Sequence, residues 1–344
     1  MTELFNATMA ERGIAVESTL VPFARGQQVI SEILHAGTNC PDLIRIDSSW
    51  LARLNSEDQG QLLMQVPPEL ARLDWLPEAP SLVGSATGLL AATAIPQAID
   101  GLVIVRDVAA PKPPTSSIDD LVDTARAAQR DDRKFPLGLR ADGYWLVPWL
   151  RAHGSDLVTG RGNPASEALA AFAALFGTIA APPPPAGSEA PEELRRWTSH
   201  EVAYWVTGPW QIGALHDRDH IEISALAGAP RGGQLLVVPT CAKHPAEGWR
   251  LAGELVSVPL ATKLAVAFAT VPTRRAALAA APPLVHTLYE ALQGARPLNS
   301  SSVTPLLFDD LNPAISAVIE GDASADEAML GVQRGWSRLV SKQP

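Results

Sequence analysis

Residues 201–215 read EVAYWVTGPWQIGAL. The run Val202–Val206 is rich in β-branched and aromatic side chains and reads as a strand, which Thr207-Gly208-Pro209 then stops with a turn. Trp205 therefore belongs to the strand and the core beneath it. Trp210 emerges beyond the turn, which itself cannot be helical, either as a second core anchor or as a ring offered to a cavity. Tyr204 adds a further ring, in a chain that has only three tyrosines.

Outward from this stretch, short apolar runs alternate with amphipathic ones, which is the pattern of an α/β protein. IAVESTLVPF, PDLIRID, DGLVIVRDV, FPLGLR and GGQLLVVPTC read as strands. GQQVISEILHAGT reads as a helix ending near Gly37, and SSIDDLVDTARAAQR as a helix capped by Ser117 with Asp119 and Asp120 in its first turn. GYWLVPWLRAHG is an aromatic helix that Pro148 would kink or shorten. NPASEALAAFAALFG, EELRRW, HPAEGWRLAGELVSV, PLATKLAVAFA and ADEAMLGVQRGWSRLVSK complete the predicted helices, and the APPPPAGSEAP stretch is a stiff loop.

A chain of 344 residues, 47% of them hydrophobic, exceeds one ordinary globular unit and suits two lobes. The formal net charge of -10, without any dense Lys/Arg run, excludes the basic face of a nucleic-acid binder. ALAAFAALFGTIAA is shorter than a bilayer span and suits a buried helix. The opening MTELFNATMAERGIAVE lacks the basic and apolar regions of a signal peptide, so as given the chain reads without an export address.

Catalytic signatures are missing: there is no GxSxG elbow, phosphate-binding glycine loop, dinucleotide fingerprint or HExxH. His216 and His220 stand four apart in HDRDH, but charged residues fill the gap, and a solvated turn is preferred to a metal site. Asp119–Asp120 and Asp309–Asp310 are helix-start carboxylates rather than acid/base couples. Cys40 and Cys241, alone and without CxxC spacing, read as two buried thiols in preference to a bridge. No cofactor, no metal and no enzymatic activity are expected.

Five stretches, in this order, resemble the extracellular solute-binding proteins of ABC importers, in particular the maltose- and trehalose-type carbohydrate binders. They are LFNATMAERGIAVESTLVP, CPDLIRIDSSWLARL, AIPQAIDGLVIVRDV, WTSHEVAYWVTGPWQIG and GGQLLVVPTCAKHPAEGWRLAGELVS, and the resemblance runs from about Leu4 to Leu339. It implies a periplasmic-binding-protein-like fold of type II. Two α/β lobes, each a mainly parallel sheet flanked by helices, would enclose a ligand cleft. The first lobe would take residues 1–96 and 233–295, the second 97–232 and 296–344. The implied function is non-catalytic capture of a sugar or similar small polar solute by hinge closure. Its partners would be ABC permease subunits if the chain is exported, with no nucleic acid, and the protein would be a monomer. The other reading is a degenerate binding domain serving as an intracellular sensor or interaction module.

The resemblance also nominates a site. Trp210 would lie against the C–H face of a pyranose. Asp100 would accept hydroxyl hydrogen bonds or else cap the turn before Gly101. Asp47 would do likewise or cap the helix starting at Ser48. Trp50 follows just past the same strand, Tyr144 matches a second-lobe aromatic, and Trp145 belongs to the core. Gln97 follows Pro96 where related binders carry aromatic residues, and VIVRD likewise has no ring, so a smaller or less sugar-like ligand is also compatible. In the first lobe the returning strand would run antiparallel beside the PD strand. This brings Cys40 and Cys241 within about 7 Å, disulfide reach, and a bond is expected only if the protein is exported. Finally, the family's first strand, which precedes the opening helix, is missing here, so the start is expected to be truncated, with a gap or substitute segment before PDLIRID. Location would be extracytoplasmic if an upstream signal exists and cytoplasmic otherwise.

Overall fold

The computed structural model describes residues 15–57, 61–85, 88–157, 163–184, 192–215, 218–298 and 301–341. In chain order the elements are α1 (Phe23–Ala36), β1 (Ile44–Asp47), α2 (Ser48–Ser56), α3 (Pro68–Ala71), α4 (Ala79–Leu82), β2 (Ile95–Gly101) and β3 (Val103–Asp107). There follow α5 (Ile118–Ala127), β4 (Leu137–Gly138), α6 (Gly143–Ala152), α7 (Asn163–Ala173), α8 (Glu192–Thr198), β5 (Tyr204–Thr207), α9 (Pro209–Ile212), β6 (Ile221–Ala225) and β7 (Pro230–Val237). The chain continues through α10 (Pro245–Leu255), α11 (Val258–Phe268), β8 (Val271–Pro272), α12 (Arg275–Ala279), α13 (Pro283–Leu292) and β9 (Arg296–Pro297). It ends with α14 (Leu307–Glu320) and α15 (Ala325–Ser341).

Two sheets organise the two lobes. The first has the order β1-β7-β2-β8, with β9 pairing β7, and the second has the order β4-β5-β3-β6. The expectation of mainly parallel sheets is corrected to mixed ones. β7 runs antiparallel to both β1 and β2, β8 is antiparallel to β2, and β3 is antiparallel to β5 and β6, whereas β4–β5 and β7–β9 are parallel. The cause is the path of the chain. β2 leaves the first sheet and, after Leu102 alone, becomes β3 of the second; β7 is the return, and so lies against the strands it comes back to with opposite sense. The expected lobe borders at 96/97 and 232/233 lie within β2 and β7. The switches occur at Leu102 and between Ala225 and Pro230.

Local chemistry sets most element ends. Ile30 and Leu34 bury one face of α1, and Gly37 closes it in the left-handed region (φ 63°), its N–H donating to the Ile33 carbonyl at 3.2 Å. Ser117 caps α5 by accepting from the Asp120 N–H at 3.1 Å. Asp142 caps α6 by accepting from the Tyr144 N–H at 2.9 Å, and Pro148 is accommodated inside that helix. Residues 15–22, expected as part of a strand, form none, and Leu20 there is almost fully exposed. The opening helix and residue 14 lie outside the described residues. Among those described, no strand pairs with the outer edge of β1, and α1 is the segment that precedes it.

One hydrophobic core runs through both lobes, from Ile46, Ile99 and Leu235 through Leu102 and Val103 to Tyr204, Trp149 and Phe172. A second, under α10 and α11, gathers Ile95, Leu236, Val238, Trp249 and Leu264. Trp205 is buried and stacks on Trp197 at 5.8 Å, as expected for a strand tryptophan. Arg151 of α6 fastens the crossings: its guanidinium donates to the carbonyls of Gly228 and Ala229 at 3.1 Å and of Arg296 and Pro297 at 3.2 Å.

Cys40 and Cys241 are joined in a disulfide with Cα atoms 5.8 Å apart, so the reading as two free thiols is overturned. The sheet register explains it. Ile44 pairs with Val237, and each cysteine lies four residues beyond that pair on its own strand's continuation, which sets them opposite one another.

Candidate functional site

The strand register gathers polar side chains on one face of the first sheet. Ile44 and Ile46 point into the core, so Arg45 and Asp47 share the other face of β1. Asp47 pairs with Gln234, Gln234 with Ala98, and Asp100 lies two residues beyond Ala98, on the same face again. Gln234 Nε2 donates to Asp100 Oδ2 at 3.1 Å. Gln97 sits in the register shift between Pro96 and Ala98, and its Oε1 accepts from Arg45 Nε at 2.7 Å. This end of the face leads straight to Leu102, where the chain changes sheet.

Both readings of Asp47 meet in one side chain. It caps α2, accepting from the Ser49 N–H at 2.9 Å and the Ser49 hydroxyl at 2.5 Å, while staying partly open to solvent beside Asp100 and Arg45. Burial pushes its pKa up to about 6, with the Asp100 charge adding to the rise and the Ser49 bonds and Arg45 opposing it. Burial raises Asp100 too, against the pull of Arg45 and Gln234. Lost hydration lowers the pKa of Arg45, and the two carboxylates partly offset the loss. Among the described residues neither Asp47 nor Asp100 is in an ion pair, so each keeps accepting capacity.

Three aromatic rings from the second lobe converge on one another. Tyr144 and Trp145 open α6, and Trp210 is the second residue of α9. The ring centroids of Tyr144 and Trp210 are 6.3 Å apart, those of Trp145 and Trp210 6.2 Å, both edge-to-face. Trp145 is anchored, its Nε1 donating to the Val206 carbonyl at 2.7 Å, and Arg140 lies 5.4 Å over its ring. Trp210 is 42% exposed, in contrast to Trp145 at 9%. The indole lies over its own turn: a Cβ on Gly208 would come within 2.1 Å of the Trp210 ring, so a side chain there would have to displace the indole. The turn read as non-helical gives way at Pro209 to a one-turn helix, because Pro209 occupies the first helical position, where a missing N–H costs nothing.

The helices that carry the rings pack on the strands of the polar face, α6 against β7 and α9 against β2. The Tyr144 phenol is pushed well above its ordinary pKa, first by burial and then by the negative charges of Asp47 and Asp100. Its hydroxyl donates to the Pro230 carbonyl of the returning crossing at 3.4 Å.

Of the residues nominated from sequence, Asp47, Gln97, Asp100, Tyr144 and Trp210 are thus brought to one place. Trp50 is not: it is buried under α1, 5.1 Å from Phe23, with its ring so close to Gly26 that a Cβ there would clash at 2.6 Å. Arg45 and Gln234 were missed, although the alternation Ile-Arg-Ile-Asp in PDLIRID already puts Arg45 beside Asp47. His216 lies outside the described residues and His220 is exposed; among the described residues no group of three or more His, Cys, Asp or Glu could hold a metal ion. A groove of about 670 Å³ between α3 and α10, lined by Leu70, Trp249 and Arg274 among others, shares no residue with this set.

Residues 1–260 match the family of bacterial extracellular solute-binding proteins. The chain belongs to that family. Membership makes it a solute-binding protein that works outside the cytoplasm, and a disulfide fits that compartment. Solved structures of similar fold include the GacH receptor of Streptomyces glaucescens GLA.O, seen unliganded and with acarbose and an acarbose homolog. It is 22% identical at a TM-score of 0.86, over 100% of this chain and 96% of that one. Maltose-bound MalE3 of T. maritima is 15% identical at a TM-score of 0.82, over 98% and 95% of the two chains. The maltotriose-bound binding protein of Thermus thermophilus is 16% identical at a TM-score of 0.79, over 97% and 95%. Comparison with curated proteins finds no match to this solute-binding protein.

Proposed function

We propose that this solute-binding protein captures a carbohydrate between its lobes and delivers it to the permease of an ABC importer, without chemistry of its own. The observation that carries the reading is an exposed indole, Trp210, on one lobe and, on the other, the solvent-reaching polar groups of Asp47, Asp100, Arg45 and Gln234, with the buried Gln97 holding Arg45. Sugars are amphipathic. A ring can cover the C–H face of a pyranose while carboxylates, amides and a guanidinium take its hydroxyls. Tyr144 backs the indole edge-on and supplies a second ring at the rim.

Acarbose, maltose and maltotriose, the ligands named for proteins of similar fold, set the class to test first. Closure would turn on Leu102, residues 226–229 and the segment beyond β9, with the lobes divided at those points. A ligand touching both lobes favours the closed form by the free energy of the contacts it gains there. The protein acts as a monomer in this scheme. A thermal-shift screen of maltose, maltotriose and acarbose tests it, since a ligand that binds only the native state raises the melting temperature. No shift with any mono- or oligosaccharide at millimolar concentration would reject the carbohydrate reading.

A further inference from the structure

Arg218, in the segment between α9 and β6, is bound on two sides. On its own lobe Nε donates to the Leu215 carbonyl at 3.1 Å and Nη2 to the Gly213 carbonyl at 2.7 Å. Across the gap Nη1 donates to the Val266 carbonyl and Nη2 to the Ala267 carbonyl, both at 3.3 Å. Those two carbonyls belong to the last turn of α11, which packs on the first sheet through Leu260 and Leu264. The ends of helices leave carbonyls unpaired and carry partial negative charge, which a cation relieves. α11 has no basic residue of its own in its last turn and finishes at Ala269 in the left-handed region, φ 53°. A guanidinium from the opposite lobe supplies what the helix lacks.

A second contact supports the first. Gly213, the residue that closes α9, lies so tightly against the first lobe that a Cβ would stand 2.3 Å from the Phe268 carbonyl oxygen. Neither lobe has room there for any side chain. Gly213 and Arg218 therefore engage neighbouring carbonyls of one helix end, and the helix they hold, α9, carries Trp210.

We propose that Arg218 is an inter-lobe latch: it caps the C-terminal end of α11 from the opposite lobe, holds the two lobes together and seats the turn that presents Trp210. It is a positioning residue, with no ligand contact required of it. The latch rests on the two-lobed capture reading only in giving Trp210 a purpose, and its test needs no ligand.

The measurement is the distance between spin labels on the two lobes in unliganded protein, by double electron–electron resonance. Glu69→Cys on α3 and Ala127→Cys on α5 are exposed attachment points, and the two native cysteines, bonded to each other, do not take label. Arg218→Met is expected to raise the ratio of the longer-distance population to the shorter by about tenfold or more, the effect of losing one charge-assisted hydrogen bond. Arg218→Lys, which keeps the charge but not the fork that reaches several carbonyls, should fall between. Far-UV circular dichroism reports whether each variant folds. If Arg218→Met does not fold, Gly213→Ala takes its place, since the added methyl must push the Phe268 carbonyl away and widen the same distance. A distribution in the folded variant that superimposes on that of the wild type overturns the latch. Failure of every sugar in the thermal screen would leave this result untouched, so the two proposals fail separately.

Discussion

Truncating the two tryptophans of residues 201–215 in turn separates a core ring from a ligand platform. Trp205 is buried in β5 and stacked on Trp197, so Trp205→Ala removes a complete core side chain and should cost about 3–5 kcal/mol. Trp210 is 42% exposed, and its lost protein contacts are chiefly the edge-to-face pairs with Tyr144 and Trp145. At about 0.5–1.5 kcal/mol for each of the two pairs, Trp210→Ala should cost about 1–3 kcal/mol. A chain of 344 residues has an unfolding entropy near 0.7 kcal/mol/K, so the unliganded melt should fall by about 4–7 °C for Trp205→Ala and by about 1–4 °C for Trp210→Ala. Ligand binding should show the opposite ranking. With maltotriose as probe, loss of a central stacking ring should weaken affinity by about 2 kcal/mol or more, roughly thirtyfold, in titration calorimetry, and should abolish most of the thermal shift. A fall of 5 °C or more in the unliganded melt of Trp210→Ala, or an unchanged affinity, would refute the platform.

Asp47 gives a pH signature. Its folded pKa, about 6, lies above the ordinary value of 3.8, so the folded state holds the proton more tightly than the unfolded one, and stability declines as pH rises from about 4 to 6. Asp47→Asn keeps the helix cap and removes that decline; the variant should gain up to about 3 kcal/mol over wild type at pH 7.5 and nothing below pH 4, and a difference that is flat with pH would contradict the assignment. The disulfide closes a loop with a sequence separation of 201, for which chain entropy predicts about 5 kcal/mol, so Cys40→Ser with Cys241→Ser should lower the melt by about 7 °C, and thiol titration of the denatured, unreduced wild type should find no free thiol. Arg151→Met strips a donor from four carbonyls at the crossings and should cost at least about 3 kcal/mol in urea denaturation, where a loss under 1 kcal/mol would show the crossings to be held by other contacts.

Much of this was legible in the sequence where local chemistry decides. Gly37 and Ser117 stop and start their helices through groups within three or four residues of themselves. The cysteine pairing followed from a strand alignment supplied by family resemblance, and the register bears that alignment out. What escaped depends on contacts distant in sequence. Leu102 to Val105, the middle of DGLVIVRDV, is an unbroken apolar run, and nothing within it marks Leu102 as the point where one sheet gives way to the other. The register shift at Gln97 shows only against β7, more than a hundred residues away. Trp50 was misplaced because nearness to Asp47 along the chain is not nearness in space: α2 begins after Asp47 and turns Trp50 toward α1, while Asp47 stays on the open face. Thr207-Gly208-Pro209 reads in sequence as a turn only, whereas Pro209 occupies a first helical position and starts a one-turn helix.

The placement of β2 explains how capture and closure can be one event. Gln97, which holds Arg45, and Asp100, which receives Gln234, lie on the strand that continues through Leu102 into the second sheet, with no intervening loop to absorb movement. A ligand that draws on Asp100 therefore acts two residues from the crossing. On the other lobe, α6 carries Tyr144 at its start and Arg151 two turns later, and Arg151 grips the remaining crossings. In the proposed capture scheme, each wall of the cleft is thus a rigid element whose far end meets a crossing. A displacement at the ring or the carboxylate has to appear at the crossings, because packed helices and hydrogen-bonded strands transmit strain rather than dissipate it. Placing the same polar and aromatic residues on long loops would preserve the chemistry of recognition and lose this mechanical connection.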